Sequence, residues 1–275
     1  MSMPNSKNIN PTKRAIGQTK INQLLKLWPK STVAVQPWLN TQEIFRQLAA
    51  KYVQGKWLRK IGKGAYIKEG DIVDWTGGLY SLQSQLGFKV HVAGLTALEL
   101  LGYGHFVPMG EGNPKWLSKH KTDKRPIPVW FCDYFKKDNV ICIEQGLFDG
   151  AWDKALVEHT LSDYKIMVAN PERAILEYLH FDSQGTSVAH GLFLMENLIT
   201  LRPKVIQELL ESCRSVKVKR LFLILAEHVN HPWVKRLNVD KIDLGKGKRV
   251  VGEGGYYSAK YQLSLPVNLK EVNQT

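Results

Sequence analysis

The feature that most constrains this fold is a Gly-Lys-Gly turn at residues 62–64, which comes shortly after a helical pattern. Glycine adopts positive φ without steric cost, so the two glycines favour a tight turn. The flanking stretches 57–61 and 65–67 contain the aromatic and β-branched residues that favour strands. The sequence therefore predicts a two-stranded basic wing with Lys63 at its tip.

Three helical segments are predicted ahead of this wing. In the first, Ile21, Leu24 and Leu25 share one face, and Pro29 ends the pattern. Pro37 is suited to the first turn of a short second helix. The order helix, short helix, helix and hairpin is that of a winged helix-turn-helix, which we expect over residues 15–74.

The third helix is the predicted recognition element. Asn40, followed three positions later by Glu43, predicts a capping box at its start, and Gly55 predicts its end. Its predicted buried face consists of Ile44, Phe45, Leu48, Ala49 and Tyr52. We expect the opposite face to enter the major groove of double-stranded DNA and to read base edges. The readers predicted on that face are Gln42, Arg46, Gln47 and Lys51.

Positive charge is concentrated in the same part of the chain. Residues 1–70 hold 13 Lys and Arg against 2 Asp and Glu, a net of +11, whereas all 275 residues carry +13. A localised basic field attracts a polyanion. In the wing we expect Arg59, Lys60 and Lys63 to contact phosphates, which fix register and give salt-dependent affinity. The alternatives are a basic segment that serves solubility and a winged helix that docks only on protein.

The length of the chain favours two domains. We expect a disordered tail at 1–14, the winged helix at 15–74 and a larger mixed domain at 75–275, so that the fold class is α+β. Residues 74–78 look like the linker between the two domains. The C-terminal part is predicted to contain strands at 89–92, 128–131, 140–143, 164–168 and 248–265, a helix that Asn170 caps, and helices at 188–198, 203–213 and 217–229.

A second basic stretch lies at residues 214–249. Lys217 and Arg220 are three positions apart and share a helix face. This stretch predicts a surface for an acidic partner or a second DNA contact, and an ordinary solvated face is the alternative. The candidate residues for this surface are Lys217, Lys219, Arg220, Lys248 and Arg249.

No constellation in the sequence predicts catalysis. Cys213, His228 and His231 lack the paired spacing that zinc sites usually show. We expect Cys132 and Cys142 to be small buried residues in strands. The expectation is a protein without metal, cofactor or enzymatic activity. An N-terminus unlike a secretory signal and the lack of a long apolar run further predict a cytoplasmic protein with no membrane partner.

Ordered blocks of the sequence resemble the AbiEi-type antitoxins, bacterial transcriptional regulators that are paired with nucleotidyltransferase-like toxins in abortive-infection modules. One block is Tyr-Val-Gln-Gly-Lys-Trp-Leu-Arg-Lys-Ile-Gly-Lys-Gly-Ala-Tyr at 52–66, and another is Asn-Pro-Glu-Arg-Ala-Ile-Leu-Glu at 170–177. Further blocks lie at 195–203, 215–233 and 246–261. The resemblance spans roughly 20–265 and is loose at 103–165.

The resemblance implies particular partners. Such antitoxins bind repeats upstream of their own operon through the winged helix and repress it, and their C-terminal domain counteracts the toxin. The implied partners are double-stranded operator DNA and a cognate nucleotidyltransferase-like toxin that is opposed directly or functionally, with possible self-association on DNA repeats. Two other classes of protein stay open. One is a transcription factor whose C-terminal domain senses an effector, and the other is a DNA-processing enzyme that uses its winged helix to reach DNA.

Overall fold

The computed structural model describes residues 19–104, 114–150, 153–181, 188–252 and 255–266, so the predicted disordered tail at 1–14 lies outside the described residues. The N-terminal part has the predicted element order. Its elements are α1 (Lys20–Leu27), β1 (Ala34–Val35), α2 (Gln36–Thr41), α3 (Arg46–Gln54), β2 (Leu58–Gly62) and β3 (Ala65–Lys68). The three strands form an antiparallel sheet in the order β1-β3-β2.

The start of helix α3, the predicted recognition element, differs from the prediction. Asn40 lies inside α2, where its Oδ1 accepts a hydrogen bond from Gln36 Nε2 at 2.9 Å. Glu43 has a φ of 58°, so it forms part of the turn between the two helices. The predicted capping box is therefore wrong, because the Asn40 side chain accepts its hydrogen bond from Gln36 and the chain turns at Glu43. Phe45, which was predicted to be buried, is 62 % exposed.

The stretch predicted to be a linker begins a helix, α4 (Trp75–Tyr80), which continues as a π-helical turn through Gln85. Asp74 caps it, since Asp74 Oδ1 accepts from the backbone N–H of Thr76 and Gly77. A Cβ atom on Gly77 would lie 2.0 Å from the carbonyl oxygen of Ser31, and one on Gly78 would lie 2.2 Å from the ring of Phe135. These glycines therefore permit close packing of the helix.

A five-stranded mixed sheet forms the centre of the C-terminal part, with strand order β6-β5-β4-β8-β7. Its elements and the helices beside it are β4 (Val90–Val92), α5 (Gly94–Leu100), β5 (Lys115–His120), α6 (Val129–Tyr134), β6 (Val140–Gln145), β7 (Leu156–Leu161) and β8 (Tyr164–Ala169). The strand predicted at 128–131 is wrong. Pro128 starts α6 instead, and this helix buries Trp130 and Phe131. β7 was not predicted.

Helices come after the sheet, as predicted. They are α7 (Pro171–Phe181), α8 (Val188–Asn197), α9 (Pro203–Ser212) and α10 (Val216–Val229). The predicted cap of α7 is confirmed, because Asn170 Oδ1 accepts from the backbone N–H of Arg173 at 2.9 Å. A small three-stranded sheet ends the described chain, with β9 (Arg249–Val250), β10 (Tyr256–Ser258) and β11 (Leu263–Leu265) in the order β10-β11-β9.

The main hydrophobic core continues across the predicted domain boundary at residue 74. Val33 and Val35 beside α2 and Ala65 and Ile67 of the wing belong to the same buried cluster as the sheet and helices of the C-terminal part. A smaller cluster holds α1, α2 and α3 together. The division into 15–74 and 75–275 stays a prediction, and the wing packs against the C-terminal part.

Two buried carboxylates of α7 form hydrogen bonds with neighbouring elements. Glu177 Oε1 lies 2.9 Å from His91 Nε2 of β4 and 2.8 Å from Arg173 Nε. Burial alone raises the pKa of Glu177, but His91 and Arg173 outweigh it and lower the pKa to about 2. Glu172 binds the guanidinium of Arg202 at 2.9 Å. The charged residues of the block at 170–177 are therefore structural.

Candidate nucleic-acid interface

Helix α3 presents a polar face to the surroundings. Arg46, Gln47 and Lys51 are exposed, whereas Ala49 is fully buried and Leu48 is half-buried against the small cluster that joins the three N-terminal helices. The buried and exposed positions alternate with the period of a helix. Three of the four predicted base readers are therefore available on α3.

The wing is a hairpin with a two-residue loop. Gly62 pairs with Ala65, which leaves Lys63 and Gly64 as the loop. Gly64 has a φ of 69°, a conformation that favours glycine. Lys60 on β2 and Lys63 at the tip are both exposed. The predicted basic wing is confirmed as a structural element.

Three basic side chains converge on a cleft between α3 and the wing. This cleft has a volume of about 570 Å³. Arg46 and Ala50 contribute the helix side, and Lys60 and Lys63 contribute the wing side. Two separate elements thus place positive charge around one concave surface, which is the arrangement that attracts a phosphate backbone.

Gln36 holds the two sides of the cleft in position. Its side chain is 6 % exposed. Gln36 Nε2 donates to the carbonyl oxygen of Ile44 at 2.9 Å, Tyr66 Oη donates to Gln36 Oε1 at 3.3 Å, and the backbone N–H of Gln36 donates to Gly64 O at 2.7 Å. One residue therefore connects α2, the turn before α3 and the wing. The sequence alone does not reveal this role, because a single glutamine carries no signal without its partners.

Helix α6 supplies another wall of the cleft, through Pro128 and Trp130. A Cβ atom on Gly62 would lie only 2.5 Å from Trp130 Cβ, so the wing backbone runs directly against this helix. Trp130 is buried. The position of the wing therefore depends on an element of the C-terminal part, far along the chain.

Several other basic or polar residues of this segment lie outside the cleft. Gln42 comes after the end of α2 rather than standing on α3, and its Nε2 donates to Thr41 Oγ1, so its predicted place on the recognition helix is wrong. Arg59 donates to the carbonyl oxygen of Asp71 at 3.4 Å and is not among the residues that line the cleft. Lys68 Nζ donates to Trp28 O at 2.5 Å, and burial lowers its pKa.

The prediction of a second basic surface is partly wrong. Arg220 is 2 % exposed, and its guanidinium donates to the carbonyl oxygens of Leu244, Gly245, Gly247 and Gln262. Lys219 is also buried, and Lys217 is half-buried. The three residues lie at the start of α10, where the helix packs beneath the small sheet, so Lys219 and Arg220 do not face a partner.

Lys248 and Arg249 do remain exposed, beside the small sheet. In the sheet register, Ser264 is the partner of both Val250 and Tyr257, so the three side chains share one face. Val250 is 60 % exposed and Tyr257 is 41 % exposed. Lys248 Nζ lies 5.4 Å from the centre of the Tyr257 ring. This row, with Lys248 and Arg249 at its border, is called the small-sheet face below.

The described residues offer little for other chemistry. Within the ranges that the structure covers, no three His, Cys, Asp or Glu side chains come together as a metal site, and no helix is long and apolar enough to cross a membrane. Cys132 is exposed on α6, so the expectation that it is buried in a strand is wrong. Cys142 lies in strand β6 as expected, but it is only half-buried. A cleft of about 710 Å³ along β8 is lined by charges of both signs, Lys89 and Lys165 with Glu158 and Asp163, and therefore does not favour a polyanion.

Comparisons with known proteins agree with this architecture. Residues 17–109 match AbiEi_3_N, the N-terminal domain of the AbiEi antitoxin transcriptional regulators, and residues 106–266 match AbiEi_3, the transcriptional regulator and AbiEi antitoxin of type IV toxin–antitoxin systems. The crystal structure of the RV2827C protein from Mycobacterium tuberculosis has a similar fold, with a TM-score of 0.62, 14 % identity and 93 % of each chain covered. No curated protein matches significantly. The chain belongs to the AbiEi antitoxin family of transcriptional regulators of type IV toxin–antitoxin systems.

Proposed function

We propose that this chain is the antitoxin of a bacterial abortive-infection module that also binds operator DNA upstream of its own operon and represses it. The observation that carries the DNA-binding part is the convergence of Arg46, Lys60 and Lys63 on the cleft between α3 and the wing. Arg46 reads base edges in the major groove together with Gln47 and Lys51, which are exposed on the same helix. Lys60 and Lys63 hold phosphates, and Arg59 is available for a further phosphate on the wing.

Two classes of contact give two different signatures in a binding experiment. A base contact supports the preference for one sequence, whereas a phosphate contact supports affinity for every sequence and contributes about 0.9 to the slope of log affinity against log salt concentration. Arg46→Ala is therefore expected to reduce or abolish the preference for the upstream DNA. Lys63→Ala is expected to weaken binding to all DNA similarly and to reduce the salt slope by about one unit.

The test is a fluorescence-anisotropy titration of the full chain on its own upstream DNA and on scrambled DNA, at several salt concentrations. Arg249→Ala is the matched control, since Arg249 is an exposed basic residue at the small sheet. An unchanged preference in Arg46→Ala would show that the recognition helix is misplaced. Loss of binding in Arg249→Ala alone would move the nucleic-acid site to the small-sheet face.

We further propose that the small-sheet face opposes the cognate nucleotidyltransferase-like toxin by direct contact. Exposed apolar side chains bordered by charge are typical of protein interfaces, and Val250 and Tyr257 form such a row beside Lys248 and Arg249. The four hydrogen-bonded carbonyl oxygens around Arg220 fix the loop and strand that carry this face. Its basic border suits an acidic surface on the toxin.

This second proposal is tested in cells that express the toxin encoded beside this chain. Val250→Glu is expected to abolish the growth protection that the wild-type chain provides, and to leave binding to upstream DNA unchanged. Ile199→Glu, at another exposed apolar residue, is the matched control and should protect fully. Full protection by Val250→Glu, with normal co-elution of purified toxin and antitoxin, would exclude the small-sheet face.

A further inference from the structure

Phe45 is a large aromatic residue that the hydrophobic core does not use. Its side chain is 62 % exposed, whereas the preceding residue, Ile44, is fully buried. Among the residues that the structure describes, neither hydrophobic cluster includes Phe45. The Phe45 ring is therefore available for contact with another molecule.

The backbone around Phe45 is fixed at the start of the recognition helix. Phe45 is the residue that precedes α3, and its carbonyl oxygen accepts from the N–H of Ala49 at 3.0 Å. On the other side, the carbonyl oxygen of Ile44 accepts from the buried Gln36 side chain. Phe45 is therefore held directly beside Arg46, at the end of the helix whose first residues contact base edges in helix-turn-helix proteins.

The major groove offers one apolar group to such a ring. Guanine, cytosine and adenine present hydrogen-bond donors and acceptors there, whereas thymine also presents its C5 methyl group. A second copy of the chain is a poorer occupant, because it would bring the like charges of Arg46 and Lys51 on two copies close together. The positive charge around the ring instead complements duplex DNA.

We propose that Phe45 determines sequence specificity by packing against the 5-methyl group of a thymine in the major groove. This inference rests on the proposed DNA-binding function and adds the chemical identity of one base in the recognised site. Arg46 contacts the edge of a neighbouring base. Burying one methyl group contributes about fourfold in affinity, so each thymine that Phe45 covers should contribute that factor.

The test uses upstream DNA in which deoxyuridine replaces thymine in one strand at a time, because uracil keeps base pairing and lacks only the methyl group. The wild-type chain is expected to bind at least one substituted duplex about fourfold more weakly than the thymine duplex. Phe45→Ala is expected to bind the thymine duplex and that substituted duplex with equal affinity. Phe45→Leu is expected to retain part of the affinity difference between them. Ile72→Ala, which removes an exposed apolar side chain that is 89 % exposed beyond the wing, should behave as the wild type.

The outcomes separate this inference from the function on which it rests. Sequence-preferring binding by the wild type with equal affinity for thymine and uracil duplexes would overturn the role of Phe45 alone. An equal loss of affinity for uracil DNA in Phe45→Ala and in the wild type would also overturn it. So would a finding that Phe45→Ala changes the oligomeric state of the protein while the wild type shows no uracil effect. No preference for upstream DNA in the wild type would overturn the proposed function together with this inference.

Discussion

Gly62→Ala is expected to displace the wing from its place against helix α6. The added Cβ atom would lie 2.5 Å from Trp130 Cβ and 3.2 Å from Trp130 Cα, which is closer than ordinary carbon contacts allow. Neither atom is the end of a flexible side chain, so one of the two elements must move. Trp130 packs edge-on against Phe131, and Phe131 packs against Phe135, all three buried, so α6 is the less mobile of the two.

The expected size of the effect can be derived from this geometry. Restoring a contact of 3.4 Å requires a retreat of about 1 Å by the wing. Overpacking of this kind costs about 1–3 kcal/mol of unfolding free energy. A retreat of that size also changes the positions of Lys60 and Lys63 relative to Arg46, and each phosphate contact that is lost lowers the salt slope of DNA binding by about 0.9.

The assay combines thermal unfolding with DNA titrations at several salt concentrations. Gly62→Ala should lower the unfolding midpoint by about 2–4 °C for each kcal/mol and flatten the salt slope. Gly255→Ala is the matched control, because a Cβ atom at Gly255 meets no atom of the described residues within 4 Å. Wild-type stability in Gly62→Ala would refute the close contact with α6. Reduced stability with an unchanged salt slope would refute the dependence of DNA binding on it.

Three further predictions concern the remaining structural connections. In a denaturant titration, Arg220→Met should cost on the order of 3 kcal/mol of unfolding free energy, because it leaves buried carbonyl oxygens unpaired. The control Arg249→Met should cost little unfolding free energy in the same titration. Asp74→Ala should cost about 1 kcal/mol in that titration through loss of the α4 cap, and no loss would contradict the capping role. The folded-state pKa of Glu177 lies below its ordinary value, so its contribution to stability is present above about pH 4.5 and is lost as the pH falls toward about 2. Denaturant titrations between pH 7 and pH 3 should therefore show a stability difference between wild type and Glu177→Gln that shrinks in acid, and a constant difference would contradict the ion pair.

Local patterns in the sequence predict much of this fold. The order of α1, α2, α3 and the wing, the Asn170 cap and helices α8 to α10 all result from spacing that neighbouring residues set by themselves. The basic face of α3 and the tip at Lys63 belong to the same class, because exposure on a helix or a turn depends on period and turn chemistry. These features needed no knowledge of what the elements pack against.

A local pattern misleads where another contact takes the group to which the pattern assigns a role. Asn40 could cap α3 by its sequence, but Gln36 occupies its side chain. Residues 74–78 look like a linker because glycine has no side chain, yet Gly77 and Gly78 are small so that Ser31 and Phe135 can approach α4. Pro128 starts a helix because the core takes Trp130 and Phe131 from one face of it.

The sequence by itself determined that three helices and a basic hairpin follow one another in the N-terminal segment, since charge and local pattern lie within residues 20–68. Only the tertiary structure decided which basic residues lie together. It places Arg46 with Lys60 and Lys63 around one cleft, excludes Gln42 from α3, and turns Lys219 and Arg220 inward. The physical reason is that charge and period are properties of the chain, whereas burial and convergence depend on partners such as Gln36 and Trp130, whose identity a sequence pattern does not reveal.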